Sequence, residues 1–246
     1  MTVRAIRRKV AAEETVEGAE ATVKRVFPAW YLMHFDPFVL LDEFLVKPPA
    51  GFPDHPHEGF EAITYMLEGG FRHQDNLGND SIVLAGGVQR LTAGKGIVHS
   101  EPPGTKGLNR GLQLWVRLPS RLRDMEPDYQ QVEPSDIPEE TLNGSHVRII
   151  VGGRSPVRLH TNVIYLDVAL QPENKFVYRV DPEFNVMLYI LNGIVTLGRS
   201  KVRMGEAALL TLGEEVEVAA YENSRFVLIG GKPHREPIIL RGSFVY

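Results

Sequence analysis

The stretch FPDHPHEGFEAITYMLEGG, residues 52–70, places two histidines one residue apart before a run of apolar and β-branched residues that ends in two glycines. Short runs of this composition, bounded by Gly and Pro, are typical of β-strands. Side chains two residues apart on a strand face the same side, so His55 and His57 can converge on one point. Glu61 is also an even number of residues away, so on a continuous strand it would face the same side. The stretch therefore predicts a strand that presents two imidazoles.

Similar short runs recur along the chain, including GLQLWVRLP from residue 111, FNVMLYIL from residue 184 and RFVLIGG from residue 225. Gly and Pro separate them, which indicates strands joined by turns. The helical segments that the sequence allows are short, for example SDIPEETLNG (135–144) with Ser135 or Asp136 as N-cap. We therefore predict an all-β fold with few short helices.

Length and composition limit the possible functions. A chain of 246 residues suits one large all-β domain or two barrels of about 110 residues each. Cys is absent, which leaves His, Asp and Glu as candidate metal ligands. The net charge of −4 argues against direct nucleic-acid binding. Without a targeting segment or an apolar run long enough for a membrane, we expect a cytoplasmic protein.

The chain contains an internal repeat. FEAITYMLEGG, from Phe60, aligns with FNVMLYILNGI, from Phe184, and GGVQRLTAG (86–94) aligns with GEAALLTLG (205–213). Two matches in the same order predict a duplicated β unit. The acidic, Pro-containing residues 126–140 suit a solvated connector, so we expect domains at 1–131 and 132–246.

The repeat indicates that only the first unit carries metal ligands. His99 and Glu101, in GKGIVHSE, form a second same-face pair that can join His55 and His57 around one ion. The aligned positions in the second unit hold other residue types: Arg179, Asp181, Val218 and Ala220. Glu61 could be a ligand, a base or a hydrogen-bond acceptor for an imidazole N–H, and we favour the acceptor.

Three further side chains, Trp115, His73 and His160, are not predicted to bind the metal. We interpret Trp115 as a core strand residue, although an aromatic ring at a barrel mouth could stack on an aromatic ligand. We interpret His73 as a loop residue near the barrel mouth. His160 has no companion at ligand spacing and is assigned no chemistry.

Four motifs carry a resemblance to a known family. FDPFVLLDEF (35–44), GFPDHPHEGFEAITYMLEG (51–69), GGVQRLTAGKGIVHSE (86–101) and GLQLWVRLP (111–119) resemble the successive signatures of the pirin family, bicupin proteins related to quercetin 2,3-dioxygenases. The resemblance implies two cupin barrels, of the double-stranded β-helix or jelly-roll type, packed face to face. It implies one metal in the N-terminal barrel and none in the C-terminal barrel. The implied ligands are His55, His57, His99 and Glu101.

The resemblance also implies a function, with two candidates. The first is a quercetin (flavonol) 2,3-dioxygenase that uses one Fe(II)/Fe(III) per chain, or Mn, Ni, Co, Cu or Zn, with dioxygen and a flavonol-like substrate. Glu101, or Glu61, would accept the substrate proton. The second is a redox-sensing iron protein that acts through protein partners, as a transcription co-regulator or a modulator of a metabolic enzyme. We expect a cytoplasmic monomer that contacts no membrane, with a nuclear location also open in a eukaryote.

The sequence departs from the family pattern at three positions. Glu58 follows the second histidine where many members have Arg, and Gly87 and Arg90 replace the usual Asp and Trp. A carboxylate at the rim of the site would repel an anion. We therefore expect Glu58→Arg to strengthen the binding of an anionic flavonol.

Overall fold

The structure, a computed structural model, describes residues 2–246. These residues form β-strands, together with two single-turn 3₁₀ helices at Ser120–Leu122 and Pro134–Asp136. None of the described helices is long and apolar enough to cross a membrane. The all-β prediction is confirmed, but the helix predicted in 135–144 is wrong. Residues Glu139–Leu142 instead form a strand, whose backbone pairs with the next strand in the chain.

The residues from 2 to 246 contain twenty-four strands. The first twelve are β1 (Ile6–Ala11), β2 (Glu13–Glu17), β3 (Ala21–Phe27), β4 (Phe38–Val46), β5 (Phe52–His57), β6 (Phe60–Glu68), β7 (Gly70–Asp75), β8 (Asp80–Leu84), β9 (Val88–Thr92), β10 (Ile97–Glu101), β11 (Asn109–Arg117) and β12 (Asp128–Val132). The others are β13 (Glu139–Leu142), β14 (Ser145–Val151), β15 (Val163–Leu170), β16 (Lys175–Arg179), β17 (Asn185–Asn192), β18 (Ile194–Leu197), β19 (Ser200–Arg203), β20 (Glu206–Leu210), β21 (Glu215–Ala220), β22 (Ser224–Gly231), β23 (Leu240–Arg241) and β24 (Phe244–Val245).

The chain divides into two compact units. The first barrel comprises residues 13–137, 156–161 and 234–246, and the second barrel comprises the N-terminal residues through Ala12 with residues 138–155 and 162–233. Each unit contains one seven-stranded and one four-stranded sheet. The predicted domains 1–131 and 132–246 stay a prediction of where the duplicated sequence units meet. Strand pairing adds that β1 belongs to the second barrel, where it pairs with β20.

The first barrel encloses its core between sheets of order β12-β9-β6-β11-β4-β3-β2 and β5-β10-β7-β8. Phe44 on β4 stacks on Phe71 on β7 with ring centroids 4.6 Å apart, which joins the two sheets. Both side chains are almost completely buried, and burial of a side chain of this size stabilises the fold by about 1.5–3 kcal/mol. The apolar strand faces therefore supply the packing that fixes this barrel.

The second barrel repeats this strand order, with sheets of order β1-β20-β17-β22-β15-β14-β13 and β16-β21-β18-β19, except that the place of β12 is taken by β1 from the N-terminal part of the chain. Strands β17 and β20 occupy the places of β6 and β9, as the aligned segments predicted. The interior is apolar, and Phe176 on β16 contacts Phe226 on β22 edge to face at 5.7 Å. The internal repeat is thus a duplicated barrel whose two copies differ in what fills them.

Candidate metal centre

Strands β5 and β10 bring the predicted histidines together. The two strands pair antiparallel, with His55 directly opposite His99, and the register shifts between His99 and Glu101. Gly59 lets the chain turn sharply after His57: its φ is +86°, and a Cβ there would lie 2.0 Å from the carbonyl oxygen of Val245. Only glycine satisfies both conditions. This turn ends β5 directly after its second histidine.

The three imidazoles form a compact cluster. Their nearest ring nitrogens all lie within 4.8 Å of one another, and Nε2 of His55 is 3.0 Å from Nε2 of His57. His57 and His99 are buried, whereas His55 is half-buried. Three nitrogens this close can bind a single ion, as the spacing of the sequence predicted.

The hydrogen bonds around the cluster leave nitrogen lone pairs for a metal. His55 Nδ1 lies 2.7 Å from the carbonyl oxygen of Pro53, so Nδ1 donates its hydrogen and Nε2 keeps a lone pair. His99 Nδ1 contacts another histidine, and its Nε2 is buried with no hydrogen-bond partner among residues 2–246. A buried nitrogen without a partner costs about 1–3 kcal/mol. A metal ion fits this arrangement because it would bind these nitrogens.

Burial favours the neutral forms of His57 and His99. Burial, and to a smaller extent the neighbouring His55, lowers the pKa of His57 to about 3. Burial, with His57 and His55 as further causes, holds the pKa of His99 well below its ordinary value. Neutral imidazole is the form that binds metal ions, so the lowered pKa values of His57 and His99 favour metal binding.

Glu101 is buried beside the histidines but lies outside the compact nitrogen cluster. Its Oε1 accepts hydrogen bonds of 3.3 Å from Thr64 Oγ1 and Gln113 Nε2, and its Oε2 accepts one of 3.3 Å from Gln113. It shares a cavity wall with His55 and His57. Its role as a fourth ligand stays a prediction.

Glu61 is not brought to the histidine cluster. Its carboxylate accepts hydrogen bonds of 2.9 Å from Thr92 Oγ1, from the backbone N–H of His160 and from the His160 ring. The parity argument fails because the turn at Gly59 separates β5 from β6. Glu61 does contact an imidazole, but it is that of His160, for which the sequence predicted no chemistry. A role for Glu61 as a catalytic base stays an untested prediction that these contacts do not favour.

His73 is a strand residue, so its interpretation as a loop residue is wrong. It lies on β7 with 1% of its surface exposed, and its ring stacks on Tyr129 at 4.1 Å. Its Nδ1 is 3.3 Å from His99 Nδ1, and its Nε2 is 2.9 Å from Asp75. The signal that could have revealed it is the spacing of His73 and Asp75, two residues apart on one strand face.

A cavity of about 590 Å³ opens beside the cluster. Trp115 forms part of its wall and stacks on Phe60 at 4.1 Å, with the His57 ring 4.8 Å away. Trp115 is therefore partly buried against the core and also forms part of the cavity wall, so its interpretation as a core residue covers only one of its contacts. The cavity is lined mainly by apolar side chains, which include Val23, Val39, Leu40, Phe44, Phe52 and Leu240.

Charged side chains also line the cavity. Arg25 forms two hydrogen bonds with Asp42, of 3.0 and 2.7 Å, and a third of 2.7 Å with Glu17. Burial works against the charged guanidinium, but its bonds with Asp42 and Glu17 more than offset this effect and raise the pKa of Arg25. The cation is thus already paired within the wall.

The three departures from the family pattern have structural settings. Glu58 is not among the residues of the cavity wall, and its backbone carbonyl accepts the N–H of Val245. A Cβ on Gly87 would lie 2.6 Å from Val83, so a larger residue requires movement there. Arg90 is buried and forms an ion pair of 2.7 Å with Asp128. None of the three contacts the histidine cluster in the interactions described.

Matches to known protein families cover most of the chain. Residues 15–116 match the Pirin family, and residues 165–246 match the Pirin C-terminal cupin domain. The chain belongs to the pirin family. The predicted family and the all-β bicupin fold are therefore confirmed.

Individual relatives extend over nearly the whole of this pirin-family chain. A pirin-like protein of Arabidopsis thaliana is 41% identical, covering 98% of this chain and 84% of the relative. Human Pirin is 38% identical, covering 96% of this chain and 85% of the relative. Among solved structures, quercetin 2,3-dioxygenase from Acinetobacter baumannii matches with a TM-score of 0.92 at 28% identity, covering 99% of this chain and 92% of that chain.

Proposed function

We propose that this pirin-family protein is a mononuclear metal-dependent dioxygenase that cleaves flavonols such as quercetin. The observation that carries the proposal is the convergence of His55, His57 and His99, of which His55 and His57 line a cavity with an aromatic wall. The volume of about 590 Å³ falls within the usual range for small-molecule sites. The similarity to the quercetin 2,3-dioxygenase of Acinetobacter baumannii supports the substrate class.

His55, His57, His99 and Glu101 would hold the ion, with iron as the proposed metal and Mn, Ni, Co, Cu or Zn as alternatives. Three neutral imidazoles and one carboxylate suit several of these metals, and they leave positions open for other ligands. When bound, the ion would act as a Lewis acid, and a redox-active metal such as iron would also supply the redox capacity that reaction with dioxygen requires. The protein residues bind the substrate, orient it and accept its proton.

Glu101 is the proposed base for the substrate hydroxyl. Its hydrogen bonds to Thr64 and Gln113 are long, at 3.3 Å, and both come from neutral groups. The carboxylate therefore keeps the capacity to accept a proton from an enol hydroxyl placed in the cavity. The proton moves to a Glu101 oxygen, and the substrate gains the negative charge that makes it electron-rich.

Trp115 is the proposed positioning surface for the flavonol rings. Its indole lines the cavity and is fixed from behind by its stacking contact with Phe60. An aromatic substrate stacked on a ring of this kind gains about 0.5–1.5 kcal/mol beyond its buried area. The stacking would hold the substrate hydroxyl near Glu101 and the histidines.

Oxygen uptake by the metal-loaded protein tests the proposal. Protein loaded with Fe(II), or separately with each alternative metal, is mixed with quercetin under ¹⁸O₂, and uptake, flavonol absorbance and product mass are followed. We expect both oxygen atoms to appear in the ring-opened products, and His55→Ala to abolish the reaction. His146→Ala removes an exposed histidine of the second barrel that pairs with Glu139, and it serves as the control. Absence of oxygen uptake with every metal would refute the proposed dioxygenase activity.

A redox-sensing role through protein partners is the second candidate. The observation that favours it is the exposure of Asp54 and Pro56, which alternate with the histidines on β5. A shift of His55 caused by a change in metal oxidation state would therefore move the exposed residues directly beside it. Hydrogen exchange of the Fe(II) and Fe(III) forms tests this idea, and identical protection along β5 in both forms would count against it.

A further inference from the structure

A second imidazole and a carboxylate lie behind His99, on the neighbouring strand. Strand β7 pairs with β10, and His73 Nδ1 lies 3.3 Å from His99 Nδ1. On its other side, His73 Nε2 is 2.9 Å from Asp75 Oδ2. The three side chains therefore form a continuous row from Asp75 through His73 to His99, whose last atom, His99 Nε2, has no partner among the described residues.

Packing and hydrogen bonds hold this row in place. His73 is 1% exposed and stacks on Tyr129 with an angle of 9° between the rings. The Asp75 side chain is fully buried. Its Oδ1 accepts the backbone N–H groups of Leu77 and Asn79, and its Oδ2 accepts from His73 and the Asn79 amide. Both Asp75 oxygens therefore act as acceptors.

The direction of each hydrogen bond follows from this acceptor. Because Asp75 Oδ2 accepts, His73 carries its hydrogen on Nε2, and in neutral His73 the Nδ1 atom is then an acceptor. The His99 Nδ1 that faces it must donate. His99 therefore carries its hydrogen on Nδ1, and its Nε2 keeps the lone pair that a metal ion requires.

We propose that Asp75 and His73 are positioning residues that hold His99 in its Nδ1–H tautomer, with Nε2 available to the metal. Partners of this kind fix the ring orientation of metal-binding histidines, and their loss typically lowers metal affinity by about 10–100-fold. The proposal concerns the metal centre of the proposed function. It predicts a property of the metal-free protein, so it can fail or succeed independently of flavonol cleavage.

Asp75→Asn is the most direct test. The amide oxygen can replace Oδ1 as acceptor for the two backbone N–H groups, which preserves the turn after β7. The amide nitrogen then faces His73 Nε2 as a donor, so His73 must carry its hydrogen on Nδ1 and donate to His99 Nδ1. The His99 hydrogen moves to Nε2, which weakens metal binding because this tautomer must change before Nε2 can bind the ion.

Two variants at His73 separate hydrogen bonding from packing. His73→Phe keeps a ring that can stack on Tyr129 but removes both hydrogen bonds. His73→Asn keeps an acceptor near the position of Nδ1. We therefore expect His73→Asn to retain more metal affinity than His73→Phe. Asp80→Asn is the matched control, because Asp80 lies on β8 in the same hairpin, is exposed and pairs with Arg72.

The measurement is ¹⁵N–¹H NMR of histidine-labelled, metal-free protein, which distinguishes the two imidazole tautomers, followed by titration with Co(II). We expect Nδ1–H at His99 in the wild type and in Asp80→Asn, and Nε2–H in Asp75→Asn. Co(II) affinity should fall about 10–100-fold in Asp75→Asn and His73→Phe. A wild-type His99 with its hydrogen on Nε2, or unchanged affinity in both variants, would overturn the proposal. If Asp75→Asn does not fold, equal affinity of the two His73 variants would overturn it.

Discussion

His55 lies directly opposite His99 in the antiparallel pair β5–β10. In the second barrel, the corresponding pair β16–β21 places Phe176 directly opposite Val218, and both side chains are fully buried. The same type of strand pair thus occurs in both barrels with different side chains on its inner face. In the first barrel it holds imidazoles beside a cavity, and in the second it completes an apolar core.

Removing one cluster histidine should empty the metal site without unfolding the protein. We expect His55→Ala or His99→Ala to reduce bound metal from one per chain to near zero. Circular dichroism of the metal-free variant should match that of the metal-free wild type, because the core consists of apolar strand faces. Metal analysis combined with thermal unfolding checks both points. Loss of the folded state on metal removal from the wild type would contradict this view of the barrel.

Truncation at the corresponding place in the second barrel should have the opposite effect. Phe176→Ala removes a fully buried ring and should lower the free energy of unfolding by about 3–5 kcal/mol, while metal content stays at the wild-type level. Urea unfolding of Phe176→Ala and of the exposed control Lys175→Ala gives the comparison. A loss below about 1 kcal/mol would mean that the second core tolerates a cavity at this position.

Glu101→Gln should separate metal binding from catalysis. The amide oxygen is a neutral, weaker ligand, so we expect partial metal retention. The amide cannot accept a proton as a base, so kcat should fall by about 100-fold or more. Metal content and kcat are measured in the same preparations, with Glu68→Gln, an exposed carboxylate at the end of β6, as control. If kcat per bound metal is retained, another group is the base.

Glu58→Arg should leave substrate binding unchanged, in contrast to the expectation from sequence. Glu58 is not part of the cavity wall, and its described backbone contact is with Val245, so its carboxylate makes no direct contact with a flavonol in the cavity. The apparent KM for an anionic flavonol should therefore agree between variant and wild type at both low and high ionic strength. A lower KM confined to low salt would place Glu58 near the substrate path.

Strand parity made the histidine pair predictable, because it depends only on residues two apart on one strand. The same argument failed for Glu61, since the single turn at Gly59 breaks the parity between β5 and β6. Alignment of the repeat matched Arg179 of the second barrel with His55 of the first. The strand register instead matches Phe176 with His55, because Phe176 pairs with Val218 as His55 pairs with His99. Loops of different length cause this slip, and a sequence alignment without structure cannot measure them.

Contacts between residues far apart in sequence were not predictable from spacing. His160 lies 99 positions from Glu61, and no local pattern connects them. Burial of the Glu61 carboxylate, which is 0% exposed, requires such a partner, because an unpaired buried charge is costly. The structure supplies that partner from the segment 156–161.

The contact between His160 and Glu61 should make the stability of the protein depend on pH. The hydrogen bond from His160 to Glu61 raises the pKa of His160 above its ordinary value of 6.5, with Asp128 acting in the same direction and burial and Arg90 opposing it. The stabilisation is therefore fully present below about pH 6.5 and is lost as the pH rises through the higher folded-state pKa. Because the ring is partly exposed, we expect at most about 1 kcal/mol. Urea unfolding at several pH values checks this, with His160→Gln compared with wild type and His146→Gln as the exposed control. The difference between wild type and His160→Gln should be largest at acidic pH, and a difference that grows with pH would contradict the assignment.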